Sequence, residues 1–135
     1  MLFFATCNLK NKKNDSDKER LNRICDDIIY NYSIGNYHGA MLLLKRNTVL
    51  ISESEIDTME AQMWQQKREG VFAQYGKILI SELVSERNIS DFASKRIYVL
   101  RFRYYILKFV FIMYKGAEKW AITGFKFDDN LSEML

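Results

Sequence analysis

Residues 115–130, KGAEKWAITGFKFDDN, decide how this chain is expected to fold. After a short polar turn, Trp120 and Ile122 lie on one face of a strand, because alternate residues of a strand share a face. The two phenylalanines that follow have the opposite parity, and Gly124 stands where the parity changes. Such a change is typical of a β-bulge, in which one extra residue turns the following side chains to the other face. The stretch therefore predicts a bent final strand.

Two earlier segments also alternate with the period of a strand. Residues 77–89 form one candidate strand, and residues 95–115 are too long for one, so we expect them to turn near residues 104–107. The second half of that segment is apolar on both faces, which is typical of a central strand covered on both sides. One face carries Phe109, Phe111 and Met113 and the other carries Val110, Ile112 and Tyr114.

Three helices are predicted before the strands. Ser16 and Glu19 have the spacing of a capping box, and an apolar residue then recurs every three or four positions up to Tyr32. Gly35 is a suitable left-handed cap for this helix. A second helix is expected over residues 37–45 and a third over residues 56–75. This order predicts an α+β fold in which three N-terminal helices pack in the concave face of a curved antiparallel sheet.

Composition limits the class of protein. At 135 residues the chain is expected to form one domain over residues 16–135, preceded by a flexible N-terminal segment of residues 1–15. Residues 1–15 account for +2 of the net charge of +3, so the domain carries +1, which argues against a nucleic-acid partner. The sequence has no apolar run of about 20 residues that would span a bilayer. It also has no metal-ligand cluster or phosphate-binding loop, so we predict no metal and no cofactor.

The two cysteines differ in their surroundings. Cys25 falls in the apolar stripe of the first helix and is expected to be a small buried hydrophobe. Cys7 follows a short apolar stretch and precedes a polar run, which resembles the end of a bacterial lipoprotein signal, although the apolar stretch is short for a complete signal. Cys7 is therefore a candidate lipidation site if translation starts upstream, and a lipid anchor is then the only expected contact with a membrane. Otherwise the segment is an ordinary disordered N-terminus and the protein is cytoplasmic.

The order of these features resembles the nuclear-transport-factor-2-like superfamily, which has a cystatin-like cone fold. The resemblance covers residues 17–128 and depends on the step IGNY after the first helix, a long helix ending in glycine, and the closing stretch GAEKWAITGF. The chain is most similar to short bacterial members of unknown function. The superfamily also contains ketosteroid isomerases and polyketide cyclases, whose acid or base lies inside the cone.

The resemblance directs attention to residues capable of acid or base chemistry. Residues 97–114 contain no Asp, Glu or His, so the strand acid of those enzymes is missing there. The remaining candidates are Glu82, His38 and Tyr32, with Tyr30 and Asp57 as further options. A carboxyl on an apolar face has a raised pKa and acts as a base, but a solvated carboxylate is the more common case. We therefore predict no catalytic residue, and keep an isomerase or lyase that uses Glu82 as the alternative function.

The aromatic and basic residues have two interpretations each. Five aromatic side chains are predicted to line a pocket for a small apolar ligand, or else to fill the core: Tyr32, Trp64, Phe72, Phe102 and Trp120. The basic residues of the strands either meet an anion or acidic partner or form a solvated, cross-strand-paired face, which we favour. These residues are Lys95, Arg96, Arg101, Arg103 and Lys108.

The sequence thus predicts a non-catalytic domain for ligand binding or protein interaction. A homodimer is expected to form through the outer face of the sheet, because only one apolar face of the segment 107–114 can point inward. The predicted dimer face is Val110, Ile112 and Tyr114.

Overall fold

The chain folds as three helices followed by a curved, open, four-stranded antiparallel sheet, which confirms the predicted α+β class. A computed structural model describes the backbone of residues 2–117 and 119–134, and the side chains of residues 16–117, 119–132 and 134. The strand order is β1-β2-β3-β4, each strand pairing with the next along the chain. The elements are α1 (Leu2–Ser33), α2 (Tyr37–Asn47), α3 (Glu53–Arg68), β1 (Ile78–Ile89), β2 (Ala93–Phe102), β3 (Ile106–Lys115) and β4 (Trp120–Asp128). Short 3-10 turns follow α3 at Val71–Gln74 and β4 at Leu131–Met134.

The helix layer packs one apolar stripe against the sheet. In α1 the stripe is buried from Leu21 to Tyr32 except for Ile24, which is partly buried, and Gly35 ends the helix with φ +83°, as predicted. The predicted start of this helix at Ser16 is wrong, because α1 is already helical from Leu2 and Ser16 lies inside it. The side chains of residues 2–15 lie outside the described part of the chain, so the predicted lipidation of Cys7 stays a prediction.

The starts of the other two helices are capped by side chains. The amide oxygen of Asn36 accepts a hydrogen bond from the Gly39 backbone N–H at 3.0 Å, and Ser52 Oγ accepts one from Glu55 N–H at 3.1 Å. The third helix ends at Arg68 instead of continuing to residue 75, and the chain enters a 3-10 turn after an extended Gly70. This shorter α3 leaves the 3-10 turn free to form one side of a cavity described below.

The sheet has one face toward the helices and one face away from them. Phe109, Phe111 and Met113 of β3 are fully buried in the main core. The opposite set of side chains lies on the outer face, where Ile112 is 38% and Tyr114 49% exposed. The strand is central, as predicted, but this end of its outer face is not covered.

The predicted β-bulge in the last strand is confirmed. Ile112 pairs with Gly124 and Met113 pairs with Ile122, so Thr123 is the extra residue of β4. Gly124 has no left-handed φ; a Cβ at this position would instead lie 3.2 Å from the Cβ and Cγ1 atoms of Ile112. A side chain here would have to displace Ile112 by a few tenths of an ångström, so space across the strand pair favours glycine. The bulge lets β4 bring residues on both sides of it to the core.

Strand β1 contains two register shifts that the alternation did not predict. They fall between Ile78 and Ile80 and between Leu83 and Ser85. Glu82 is consequently paired with Val99 on the outer face of the sheet.

Candidate functional site

Phenylalanine side chains fill the deep interior between the helices and the sheet. Phe109 and Phe111 are fully buried, and the ring of Phe125 lies 5.0 Å from that of Phe111 and 6.3 Å from that of Phe109. Phe127 extends the cluster, with its ring 6.3 Å from Phe109. A groove of about 490 Å³ lies against Phe125 and Phe127 themselves. Two other cavities lie beyond the cluster.

A cavity of about 470 Å³ opens at one end of the cluster, between α1, α2, the first 3-10 turn and the start of the sheet. We call it the tyrosine cavity, and its walls are formed mainly by Tyr32, Tyr37, Phe72, Ile78 and Phe102. Three of the five side chains predicted to line a pocket, Tyr32, Phe72 and Phe102, thus meet in one place. They come from α1, the 3-10 turn and β2, so the fold brings together residues far apart in the chain.

The two tyrosines form one wall as a stacked pair. Their ring centroids lie 4.5 Å apart, and Phe109 contacts Tyr32 edge-on at 4.7 Å. Tyr32 is only 2% exposed, and burial raises the pKa of its phenol far above the ordinary range, with Tyr37 adding to the shift. Burial also raises the pKa of Tyr37. Both phenols therefore stay protonated at neutral pH, and Tyr32 is unsuited to act as a base.

Trp64 lies behind this wall, outside the set of side chains that line the cavity. Its ring is 4.6 Å from that of Tyr37, and Lys67 Nζ lies 5.4 Å from the Tyr37 ring and 5.5 Å from the Trp64 ring. The ammonium group is within cation–π distance of both rings. Trp64 thus packs against Tyr37, so its fluorescence responds to a ligand in the cavity only indirectly, through that contact.

Trp120 lines a different cavity, so the five predicted pocket residues are not brought together. This second cavity, of about 450 Å³, lies where the end of α2 meets the end of β3 and the start of β4. We call it the tryptophan cleft, and its walls include Trp120, Tyr114, Val49, Arg20, Arg46 and Lys119.

The candidate catalytic carboxylate and histidine lie outside both cavities. Glu82 is exposed and accepts a hydrogen bond from Arg101 at 3.0 Å. The Nδ1 atom of His38 is 3.0 Å from Glu60 Oε1, and the His38 side chain is 67% exposed. Asp57 pairs with Lys45 at 2.6 Å on the surface, and Tyr30 is 60% exposed.

The favoured interpretation of the basic strand residues is confirmed in large part. Arg101, Arg96 and Lys108 each pair with an acidic side chain of the neighbouring strand. Lys95 and Arg103 are exposed. However, Arg96 and Lys108 are only 5% and 0% exposed, so they are not solvated as the sequence predicted.

Arg96 is the centre of a buried polar network that sequence reasoning missed. Its Nη1 lies 2.5 Å from Glu86 Oε2, its Nη2 lies 3.2 Å from Asp26 Oδ1, and two of its nitrogens donate to Tyr98 Oη at 3.0 Å. The Tyr98 hydroxyl donates in turn to Asp26 Oδ1, and Glu86 also pairs with Lys18 at 2.7 Å. The network ties α1 to β1 and β2. One signal of this burial was present in the sequence: Arg96 has the same strand parity as Tyr98 and Leu100, which belong to the core.

Cys25 and the predicted dimer face occupy the positions expected from the sequence pattern. Cys25 is fully buried with its Sγ 4.0 Å from Met113 Sδ, and burial raises the pKa of its thiol to about 12, so it is a small hydrophobe as predicted. Val110, Ile112 and Tyr114 all lie on the outer face of the sheet. Val110 is only 3% exposed, however, so Ile112 and Tyr114 present most of the apolar surface of this set.

Among the described residues, no group of His, Cys, Asp or Glu side chains is arranged to hold a metal ion. Within the same part of the chain, every helix is too short or too polar to cross a bilayer. Comparisons of the chain with known protein families, curated proteins and solved structures found no match.

Proposed function

We propose that this protein is a non-catalytic domain that binds a small, largely apolar ligand in the tyrosine cavity. The observation that carries the proposal is the lining of this cavity: four aromatic rings and Ile78 surround about 470 Å³, and the described lining residues include no carboxylate and no imidazole. Concave sites of this size with mostly apolar walls are the usual form of small-molecule sites.

The lining also defines the chemistry of the ligand. Each 100 Å² of apolar surface that a ligand removes from water contributes about 2.5 kcal/mol before the cost of association. The aromatic rings and Ile78 make the wall apolar, which suits an aromatic or alicyclic ligand. Lys67 and Lys77 also line the cavity and are exposed, so a polar substituent on the ligand has room to stay near water.

The alternative function, an isomerase or lyase of the ketosteroid-isomerase type, needs a carboxylate that meets the ligand. Glu82 is paired with Arg101 on the outer face of the sheet, which favours binding over catalysis. If isomerase activity were found and were lost in Glu82→Gln with the fold intact, the non-catalytic assignment would fail.

The architecture supports two further proposals made from the sequence. The order of three helices and a curved meander supports distant membership of the nuclear-transport-factor-2-like superfamily. Exposed Ile112 and Tyr114, with Phe92 at a ring distance of 6.3 Å from Tyr114, support a homodimer through the outer face.

Ligand binding in the tyrosine cavity is tested with N-phenyl-1-naphthylamine, an uncharged aromatic dye whose fluorescence rises in apolar surroundings. Ala73 lines the cavity and is exposed, so Ala73→Phe adds a ring to the open space without removing a core side chain. Ala121→Phe is the matched control, because Ala121 lines only the tryptophan cleft.

We expect the dye to bind the native protein and the Ala121→Phe variant with similar affinity, and Ala73→Phe to weaken binding at least about tenfold, equivalent to about 1.4 kcal/mol. Circular dichroism spectra and melting temperatures of both variants provide the check on folding. Equal binding by both variants would place the dye elsewhere and contradict the proposal.

A further inference from the structure

The tryptophan cleft has firmly held walls. Thr48 Oγ1 donates a hydrogen bond to the Ile122 carbonyl at 2.7 Å, and the Val49 backbone N–H donates to the same carbonyl at 3.0 Å. At the start of β4, the Trp120 backbone N–H donates to Asp17 Oδ2 at 2.9 Å. The segment after α2 and the middle of α1 are thus both bonded to β4, which defines the shape of the cleft between them.

Two apolar side chains at the rim of the cleft are exposed to water. Leu50 is 85% exposed and Val49 is 52% exposed, although both line the cleft. Leu50 also has φ 78°, which is the left-handed region that a bulky side chain rarely adopts. Such backbone strain is often found at ligand sites, where the surrounding structure enforces it. An apolar group bound against this rim would remove the exposed surface from water.

The cleft is also positively charged. Arg20, Arg46 and Lys119 line it, and the described lining residues include no carboxylate. Asp17 lies 3.2 Å from Arg20 and neutralises one charge. Neither Arg46 nor Lys119 has an ion-pair partner among the residues whose side chains are described. Asp17 also attracts Lys119, and the C-terminal end of α2 contributes about half a negative charge. Three cations against this one carboxylate and the helix end leave the described charges of the cleft positive in sum.

We propose that the tryptophan cleft binds a small amphipathic anion, with its carboxylate between Arg46 and Lys119 and its apolar body against Trp120, Tyr114 and the Val49–Leu50 rim. This second site is separate from the tyrosine cavity. Both sites have basic residues in their walls, and the cleft differs in having two arginines and a lysine beside Trp120. Its ligand class is a free monocarboxylate with an aliphatic or aromatic tail, because the cleft combines an apolar wall on one side with the exposed cations Arg46 and Lys119 on the other.

The test compares octanoate with 1-octanol, which have tails of equal length and differ in charge. The chain has two tryptophans, so in Trp64→Phe the fluorescence reports only on Trp120 in the cleft. In Trp120→Phe it reports only on Trp64 beside the tyrosine cavity. If either variant fails to fold, the two indole N–H resonances of the unmodified protein give the same distinction by NMR.

Matched charge variants then locate the carboxylate. Arg46→Gln and Lys119→Gln each remove one cation from the cleft, and Lys95→Gln removes an exposed cation from β2, outside both cavities. We expect octanoate to shift the Trp120 emission and to bind at least about tenfold more tightly than 1-octanol. Because both cleft cations are partly in water, we expect each cleft variant to raise the Kd for octanoate about three- to fivefold, and Lys95→Gln to change it less than about twofold.

Three results would overturn the proposal. One is equal affinity for octanoate and 1-octanol, since the cations would then have no role. Another is a response to octanoate at Trp64 alone, which would place the anion in the tyrosine cavity and leave the function proposed there intact. A third is association with vesicles of anionic phospholipid in the absence of any binding to free octanoate, which would make the cleft a membrane contact.

Discussion

Replacement of Arg96 by methionine is expected to cost far more stability than the same replacement of Arg101. Both arginines belong to β2 and each pairs with a glutamate of β1. The side chain of Arg96 is 6% exposed and that of Arg101 is 54% exposed. Methionine keeps an unbranched apolar stem of similar length, so the comparison isolates the charged group and its hydrogen bonds.

The magnitude follows from what each substitution leaves behind. Removing one partner of a fully buried ion pair costs about 3–5 kcal/mol, because the other charge is left uncompensated. The partners of Arg96 are partly in water, with the side chains of Asp26 and Glu86 55% and 29% exposed, and Glu86 keeps its contact with Lys18. Because water partly screens these charges, we expect Arg96→Met to lower the free energy of unfolding by about 2–3 kcal/mol, less than for a fully buried pair. An exposed pair such as that of Arg101 is worth about 0–1 kcal/mol.

Urea denaturation followed by circular dichroism measures both differences. In thermal melts of a chain of this length, each 1 kcal/mol corresponds to about 3–4 °C in melting temperature, so Arg96→Met should melt about 6–12 °C lower and Arg101→Met less than about 4 °C lower. Equal costs for the two substitutions would mean that burial of the Arg96 network does not matter to stability. A more stable Arg96→Met variant would mean that an apolar side chain is the better occupant of this site.

Three further outcomes are expected. Gly124→Val should lower stability by about 1–3 kcal/mol because its Cβ would lie 3.2 Å from Ile112, and pairing it with Ile112→Ala should restore part of the loss in thermal melts. Burial alone would raise the pKa values of Asp17 and Glu86, but hydrogen bonds from Trp120 N and Arg20 to Asp17, and from Lys18 to Glu86, lower them below the ordinary 3.8 and 4.5. The stability that these carboxylates contribute is therefore complete above about pH 4.5 and is lost as the pH falls through their folded-state pKa values. Urea midpoints at pH 7, 5 and 3 measure this loss, which Glu86→Gln should make smaller. Light scattering should find twice the 16.0 kDa chain mass and a monomer for Ile112→Lys; a native monomer would contradict the dimer.

The strand pattern of the second half of the chain was predictable because it depends on local alternation. The change of parity at Gly124 located the bulge. The turn between β2 and β3 was expected near residues 104–107 and lies at residues 103–105, so it begins one residue earlier and ends two residues earlier than expected. What alternation left open was which apolar face of β3 is inward. The helix layer decides this, and it selects the face with the larger phenylalanine side chains.

Features that depend on contacts between distant segments were not predictable in this way. No glycine marks the two register shifts of β1. Strand parity therefore placed Glu82 on the same face as Val84, although the second shift, between Leu83 and Ser85, breaks the alternation there. The burial of Arg96 depends on Asp26, which lies 70 residues earlier on α1. The start of α1 at Leu2 was missed because the polar residues before Ser16 have no apolar period.

The separation of the predicted pocket residues into two cavities has one physical cause. A sheet that curves around helices leaves a volume inside, and this chain fills the middle of that volume with the rings of Phe109, Phe111 and Phe125. Closely packed aromatic rings exclude water and ligand alike, so they separate the tyrosine cavity from the tryptophan cleft. The tyrosine cavity is bounded mainly by aromatic rings, and the tryptophan cleft has two arginines and a lysine in its walls. Because no lining residue given for one cavity belongs to the other, different variants test the two binding proposals, which stand or fall separately.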